Sequence, residues 1–367
     1  MAIMKNKPLY QDVFDTISGE IGAGKIAPGE KLPSVRELCH RFHVSHITIM
    51  RACRELASAG IIVSRGTLGF FAAEHGNYSS QTRRIAIVLR PVQKSTLFED
   101  YFNRIHGGIQ SCALRNDYTL IQPPETRMLD RMLLTREEEN QLLQKAVLLQ
   151  QEADGIFLDE RISDAAIEPF LKDFIKPAVI VNRSTSLPLA AVPPPNREGM
   201  HKLLAFTRRL GYDIWVYVSV NLLYRNELER KQAFDVFMEK EHLKNDVLDG
   251  CAVMPLETIR ERLQLLLQKY KGKKILFIAP SDYVGRTIAD LLAEEKTVFG
   301  REVGIVSFEG LGVAKQTHPY LTTLSYSPED LGRLAFQKLF CRISDTRPRN
   351  VSDNETLPFQ IEMGETI

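Results

Sequence analysis

The chain has 367 residues, 44% hydrophobic and 25% charged, with 47 Lys and Arg against 46 Asp and Glu. That composition suits a folded protein with a sizeable core, is too long for one small module, and excludes a disordered or polyelectrolyte chain. No apolar run approaches the length that spans a bilayer, and the opening MAIMKNKPLYQDVF lacks a signal-peptide pattern, so a cytoplasmic protein without membrane contact is expected. The five cysteines, Cys39, Cys53, Cys112, Cys251 and Cys341, are scattered and never spaced as CxxC, which points to reduced thiols and no zinc site. The formal net charge of +1 hides an asymmetry: residues 1–84 hold 11 Lys and Arg against 7 Asp and Glu, a basic start on a mildly acidic remainder.

Tyr10, Val13, Phe14, Ile17 and Ile21 form one apolar stripe at helical spacing, and Gly22, Gly24, Pro28 and Gly29 end it. Ser34 is placed to cap a second helix, whose Val35, Leu38, Cys39 and Phe42 fall on one face. After a turn at His43-Val44, Ser45 is placed to cap a third helix that turns Ile49, Ala52, Cys53 and Leu56 inward and stops at Gly60. The following IIVSRGTLGFFAA reads as a hairpin around Gly66 and Gly69. Three short helices and a hairpin define a winged helix-turn-helix, in which the third helix enters the major groove of DNA. With its inner face taken, that helix must present His46, Ile47, Met50, Arg51 and Arg54 outward. Exposed Ile and Met at a helix start suit thymine methyl groups, with arginines and the helix N-terminus on phosphates.

Beyond Glu74 the stretch EHGNYSSQTRR is polar and short of large apolar residues, and it reads as a linker. Apolar strands then recur at Ile85–Leu89, Tyr118–Ile121, Gly155–Leu158, Ala178–Val181, Ile214–Val220, Ile275–Ala279 and Val303–Phe308. Helical patterns separate most of them, at Tyr101–Arg115, Gly199–Leu210, Arg230–Glu239, Ile259–Tyr270 and Tyr283–Glu294. This alternation predicts parallel sheets covered on both faces, and some 280 residues is enough for two of them. TREEENQLLQK reads as a solvated helix face.

The head resembles the GntR family of bacterial transcriptional regulators through Pro8-Leu9-Tyr10, Pro28-Gly29, Leu32-Pro33-Ser34, Arg36-Glu37-Leu38 and Val44-Ser45. The resemblance implies DNA binding, with Arg36 as a contact on the second helix and Ser45, His46, Thr48 and Arg51 in the recognition motif. Ile47, Met50, Arg65 and Gly66 complete the expected DNA-facing set. His46-Ile47 stands where the family commonly has Arg-Thr, Met50 where Arg is common, and the wing reads Gly66-Thr67-Leu68-Gly69 in place of a tighter glycine pair, so the operator should differ from the commoner ones.

The body resembles the effector domain of LacI/GalR-type repressors, itself related to periplasmic sugar-binding proteins. RRIAIVLR, DYFNRIHGGIQSCALRNDYTLI, ADGIFLDE, KPAVIVNRS, ERKQAF, ILFIAPSDYVGRTIADLL, VGIVSFEG, PYLTTLSYSPEDLGRLAFQKL and LPFQIEMGET carry that likeness. It implies two α/β lobes (a type I, periplasmic-binding-protein-like fold) with a ligand in the cleft between them. Tyr101, Phe102, Arg230, Ser281, Asp282, Glu309 and Tyr326 are the expected ligand-binding residues, for a carbohydrate effector. Ser281 stands for the family's Asn, Glu309 for Asp, Tyr326 for Gln, Pro195-Asn196 for Asp-Asn, and Met363 for Arg.

The expected layout is a head over 1–75, a linker over 76–84, and an effector-binding and dimerisation body over 85–367. The expected function is a repressor-type regulator that binds double-stranded operator DNA as a homodimer under control of a small molecule. Two alternatives stay open: a body that serves only as a dimerisation platform, and a pyridoxal-phosphate enzyme on a DNA-binding head. No phosphate-cradling glycine cluster lies near a candidate Lys, and IGAGK at 21–25 ends a helix where a nucleotide loop would follow a strand. No HExxH, GxSxG or His/Cys ligand set appears either, so neither enzyme, cofactor nor metal is expected.

Overall fold

The computed structural model describes residues 9–22, 24–58, 61–64, 69–73, 82–90, 97–124, 126, 133–220, 224–250, 254–295, 297–316, 318–344, 353–354 and 357–367. The head consists of α1 (Leu9–Gly22), α2 (Val35–Phe42), α3 (His46–Ser58) and an antiparallel pair, β1 (Ile62–Ser64) and β2 (Phe70–Ala72). A capping box starts α2: Ser34 Oγ accepts from the Glu37 N–H at 3.3 Å, and the Glu37 carboxylate accepts from the Ser34 N–H at 2.7 Å. His43 ends the helix in the left-handed conformation, which turns the chain sharply into α3. Val13, Ile17, Leu38, Ile49, Ala52, Cys53, Leu56 and Ile62 close into one small core, so each helix contributes the stripe that its spacing predicts.

The body begins with β3 (Arg84–Val88), α4 (Leu97–Arg115), β4 (Thr119–Ile121), α5 (Arg136–Leu149), β5 (Gly155–Leu158), α6 (Asp164–Ile167), β6 (Ala178–Val181) and β7 (Ala190–Val192). It continues with α7 (Asn196–Thr207), β8 (Ile214–Val218), α8 (Arg225–Lys240), β9 (Asn245–Leu248), α9 (Leu256–Lys269), β10 (Ile275–Ile278) and α10 (Asp282–Glu294). The remainder is β11 (Val303–Glu309), β12 (Thr322–Ser325), α11 (Pro328–Ser344), β13 (Asp353–Asn354) and β14 (Gln360–Glu362).

Two six-stranded sheets result, ordered β13-β7-β6-β5-β3-β4 and β14-β12-β11-β10-β8-β9. Every pairing in them is parallel except β12 with β14. The chain passes between the sheets after β7, after β12 and between β13 and β14, which makes two lobes. The central strands β5, β6, β8 and β10 are buried along their whole length, as strands covered by helices on both faces must be.

α11 follows a second-lobe strand but packs on α4 in the first lobe, and two glycines permit the contact. A Cβ on Gly108 would lie 2.1 Å from the Glu329 carbonyl oxygen, and one on Gly332 would lie 2.0 Å from that of Ile105. The solvated face expected of α5 is present at Arg136, Glu137, Gln141 and Gln144, and the helix has a buried face opposite it. The helix starts polar, but Leu142, Leu143, Ala146 and even Glu139 are buried, and Glu139 accepts from the Ser163 N–H at 2.6 Å. The charged run is the start of an amphipathic helix.

Candidate functional site

On the head, the third helix presents the surface that its spacing requires. Ser45 Oγ accepts from the Thr48 N–H at 3.2 Å and lies 2.9 Å from Thr48 Oγ1, which fixes the helix start. Ile47 is 76% exposed, and His46, Arg51 and Arg36 are exposed around it. Met50 corrects the expectation: it is half-buried, with only part of its side chain available to a partner. Arg51 lies 4.0 Å over the Tyr10 ring, so α1 holds that guanidinium in place beside the outward face. Arg54 Nε donates to the Met50 carbonyl at 3.3 Å. Arg65 and Gly66 lie outside the described residues.

In the body a cavity of about 280 Å³ opens between the lobes, at the carboxyl ends of the strands. The first lobe supplies Arg90 after β3, Tyr101 and Phe102 from α4, Glu160 after β5 and Asn182 after β6. The second supplies Asn226, Glu227 and Arg230 from α8, Tyr224 just before it, Ser281 and Tyr283 around the start of α10, and Glu309 at the end of β11.

Five of the seven expected ligand residues, Tyr101, Phe102, Arg230, Ser281 and Glu309, thus line one cavity. Asp282 does not. It is fully buried beneath the wall, where its carboxylate accepts from Ser307 Oγ, Thr323 Oγ1 and the Leu311 N–H, each at 2.6 Å. Neighbouring residues on a helix point about 100° apart, so Ser281, which caps α10, faces the cavity while Asp282 faces the sheet. Tyr326 is also absent from the lining. It packs behind Tyr101, hydroxyl to hydroxyl at 3.0 Å, on the segment that crosses from β12 to α11. Because the Tyr101 hydroxyl donates to Asn182 Oδ1 at 2.7 Å, it is Tyr326 that donates to Tyr101. Met363 is exposed, away from the cavity lining.

The polar wall is tightly interlocked. Arg230 Nε donates to Asn196 Oδ1 at 2.9 Å, Nη1 donates to the Pro280 carbonyl, and Nη1 lies 3.7 Å from Glu309. Its plane sits 4.7 Å over Phe308. Asn196, first residue of α7, also donates to Asn226 Oδ1 at 2.8 Å and to Glu229 at 2.9 Å, so the crossover after β7 is pinned to α8. On the first lobe Arg90 lies 3.6 Å from Glu160 and 4.4 Å over the Phe102 ring.

Burial pushes the Glu309 carboxyl up to about 8, despite the attraction of Arg230, and Asp282 adds to the rise. Burial pushes Glu227 up to about 7 as well. Burial together with neighbouring Asp159 does the same to Glu160, while Asp159, although buried, is held low by the Arg161 guanidinium. The wall combines aromatic rings, amides and carboxyl groups whose ionisation is costly. That chemistry suits a small ligand with an apolar face and several hydroxyl groups.

Sequence reasoning missed Arg90, Glu160, Asn182, Tyr224, Asn226, Glu227 and Tyr283. Two signals were present. Arg90, Glu160 and Asn182 each stand one or two residues beyond a buried strand, where cleft residues of such sheets collect. Asn226 and Glu227 precede Arg230 by four and three residues, hence share its helix face.

A winged helix-turn-helix and a two-lobed parallel α/β body with an interlobe cavity together define a DNA-binding regulator with a ligand-binding type of body. Comparison with known proteins agrees. Residues 9–71 match the family of bacterial regulatory proteins described as gntR, and residues 209–367 match a periplasmic binding protein-like domain. The chain is a transcriptional regulator with a GntR-family DNA-binding head and a periplasmic-binding-protein-like body.

It is similar to the arabinose metabolism transcriptional repressor of Geobacillus stearothermophilus, 21% identical over 364 residues that cover 95% of each chain. Among solved structures it is similar in fold to a periplasmic binding protein/LacI transcriptional regulator from Alkaliphilus metalliredigens complexed with D-xylulofuranose. The TM-score there is 0.59 with 16% identity, covering 77% of this chain and 98% of that one. A LacI family transcriptional regulator from Enterococcus faecium with bound ribose gives TM-score 0.58 and 16% identity over the same shares. These relatives are regulators, not enzymes.

Proposed function

We propose that the chain is a sugar-responsive regulator: a head spanning 1–75 binds operator DNA, a linker spans 76–84, and a body spanning 85–367 binds the effector and dimerises. The observation that carries this reading is the cavity of about 280 Å³ between two lobes of the same chain that bears an outward-facing recognition helix. A monosaccharide ring has an apolar face and a rim of hydroxyls. Phe102 and Tyr101 offer aromatic surface to the face, and Glu309, Glu160, Asn182 and Asn226 offer acceptors to the hydroxyls. The ligands and pathway named for the similar regulators, arabinose metabolism, D-xylulofuranose and ribose, support a sugar as the class.

On the head, Ile47 and the exposed part of Met50 contact base edges, Arg51 and His46 flank them, and Arg36 holds a phosphate. One winged head neutralises few phosphates, so useful affinity calls for two heads on a two-fold operator. Closure of the lobes on a ligand alters the spacing of the heads, and operator affinity shifts by as much as the ligand distinguishes the two states. Calorimetric titration of the full chain with L-arabinose, D-xylulose and D-ribose tests the reading. Saturable binding that Phe102→Ala weakens supports it, and heat-silent titrations with a broad monosaccharide set would contradict it.

A further inference from the structure

We infer that Glu229, buried behind the cavity wall, is a positioning residue of the cleft: it fixes the side-chain amide of Asn196 and, through it, the Arg230 guanidinium that meets the ligand. This rests on the sugar-responsive reading and adds to it a residue that does not itself touch the sugar.

Asn226, Glu229 and Arg230 stand at i, i+3 and i+4 on α8 and share one face of it. Asn226 and Arg230 line the cavity, while Glu229 is buried beside them. Its carboxylate takes donors from three parts of the chain. Asn196 Nδ2, at the crossover after β7, donates at 2.9 Å, and Arg225 Nε, one turn earlier on α8, donates at 3.3 Å. Ser184 Oγ, on the first-lobe loop after β6, donates as well. A carboxylate offers only acceptors. Asn196 faces Glu229 at 2.9 Å and Asn226 Oδ1 at 2.8 Å, so it presents its nitrogen to both, and its oxygen is left to accept from Arg230 Nε at 2.9 Å. Asn226 supports the same orientation, since its own nitrogen is bound to the Asn182 carbonyl at 2.8 Å, but an amide can turn over and a carboxylate cannot. Without Glu229 the Asn196 amide is free to turn, and Arg230 Nε then faces a donor. The guanidinium is left on the Pro280 carbonyl and the Phe308 ring alone. A long arginine side chain loses much rotamer freedom when it meets a ligand, and holding it beforehand removes that loss from binding.

Two readouts on the full chain test this. One is calorimetric titration with L-arabinose, D-xylulose and D-ribose. The other is hydrogen exchange at the arginine Nε–H groups of chain carrying isotopically labelled arginine, the Arg230 signal being the one that Arg230→Lys removes. Glu229→Met keeps the length of the side chain and removes both acceptors, whereas Glu229→Gln can still accept from Asn196. Glu229→Met should weaken the sugar that wild type binds most tightly by about threefold to tenfold, and should speed exchange at Arg230 Nε by roughly tenfold or more. Glu229→Gln should stay within about twofold of wild type in both. Ser184→Ala, which takes one donor from Glu229, should move both readouts the same way by less, and it covers the case of an unstable Met variant. Unchanged affinity or unchanged exchange in folded Glu229→Met, or equal losses in the Met and Gln variants, overturns the inference and leaves a sugar sensor in place. A wild-type chain that binds none of these sugars overturns the sugar reading and the inference with it.

Discussion

Glu309 ends β11 with φ 105°, a backbone conformation that side chains other than glycine rarely adopt, and it faces the cavity beside Arg230. Backbone strain of this kind costs on the order of 1–3 kcal/mol and persists where the surroundings fix it. Its carboxyl, pushed from 4.5 to about 8 by burial, links the fold to pH. The folded value lies above the unfolded one, so the contribution to stability is whole below the unfolded value and is lost as pH rises through the folded value. Melting temperature should therefore fall between about pH 5 and about pH 8, and Glu309→Gln should flatten that slope, which a pH series of thermal melts measures. Asp282 belongs to the same scale with a different role. Asp282→Ala leaves Ser307, Thr323 and the Leu311 N–H without their acceptor, and should cost about 3 kcal/mol or more of stability in denaturant melts. Sugar affinity per folded molecule should hardly change. Asp282 looked like a cleft residue because sequence adjacency to Ser281 says nothing about helix phase. Phe102 and Arg230 were legible because the resemblance fixes each within a helix whose start faces the cleft.

At the level of elements, the recognition helix separates two kinds of contact. Arg36→Ala should weaken binding to all DNA and reduce its salt dependence, whereas Ile47→Ala should mainly relax sequence preference. Fluorescence anisotropy with operator and scrambled duplexes over a salt series distinguishes them; equal losses from both variants on both duplexes would contradict the assignment. The α4–α11 crossing predicts that Gly332→Ala, whose Cβ would meet the Ile105 carbonyl at 2.0 Å, destabilises the first lobe by roughly 1–3 kcal/mol in chemical denaturation. The strands Gly155–Leu158 and Ala178–Val181 were legible in full, because apolar runs buried on both faces carry their own signal. Thr322–Ser325 escaped notice as a strand pattern because its buried positions include Thr322 and Thr323, and Asn245–Leu248 because it is a largely solvated edge. Polar burial and edge position are set by tertiary context, which local pattern does not encode.

On the scale of the whole molecule, two sheets joined by three passages of chain make a two-lobed body with a cavity between the lobes. Tyr101, Tyr326, Asn182, Asn196 and Arg230 gather where those passages meet the cleft, so the cavity wall and the interlobe connections share side chains. The alternation of strands and helices made this architecture legible, while the hinge bonds were not, since they join residues up to 225 positions apart. The most direct test titrates a duplex, selected from random DNA by the full chain, with and without the monosaccharide that saturates the cleft. Coupling between the sites predicts a change in operator affinity of about 5-fold to 150-fold that Phe102→Ala abolishes. Superimposable curves under a saturating sugar would contradict it.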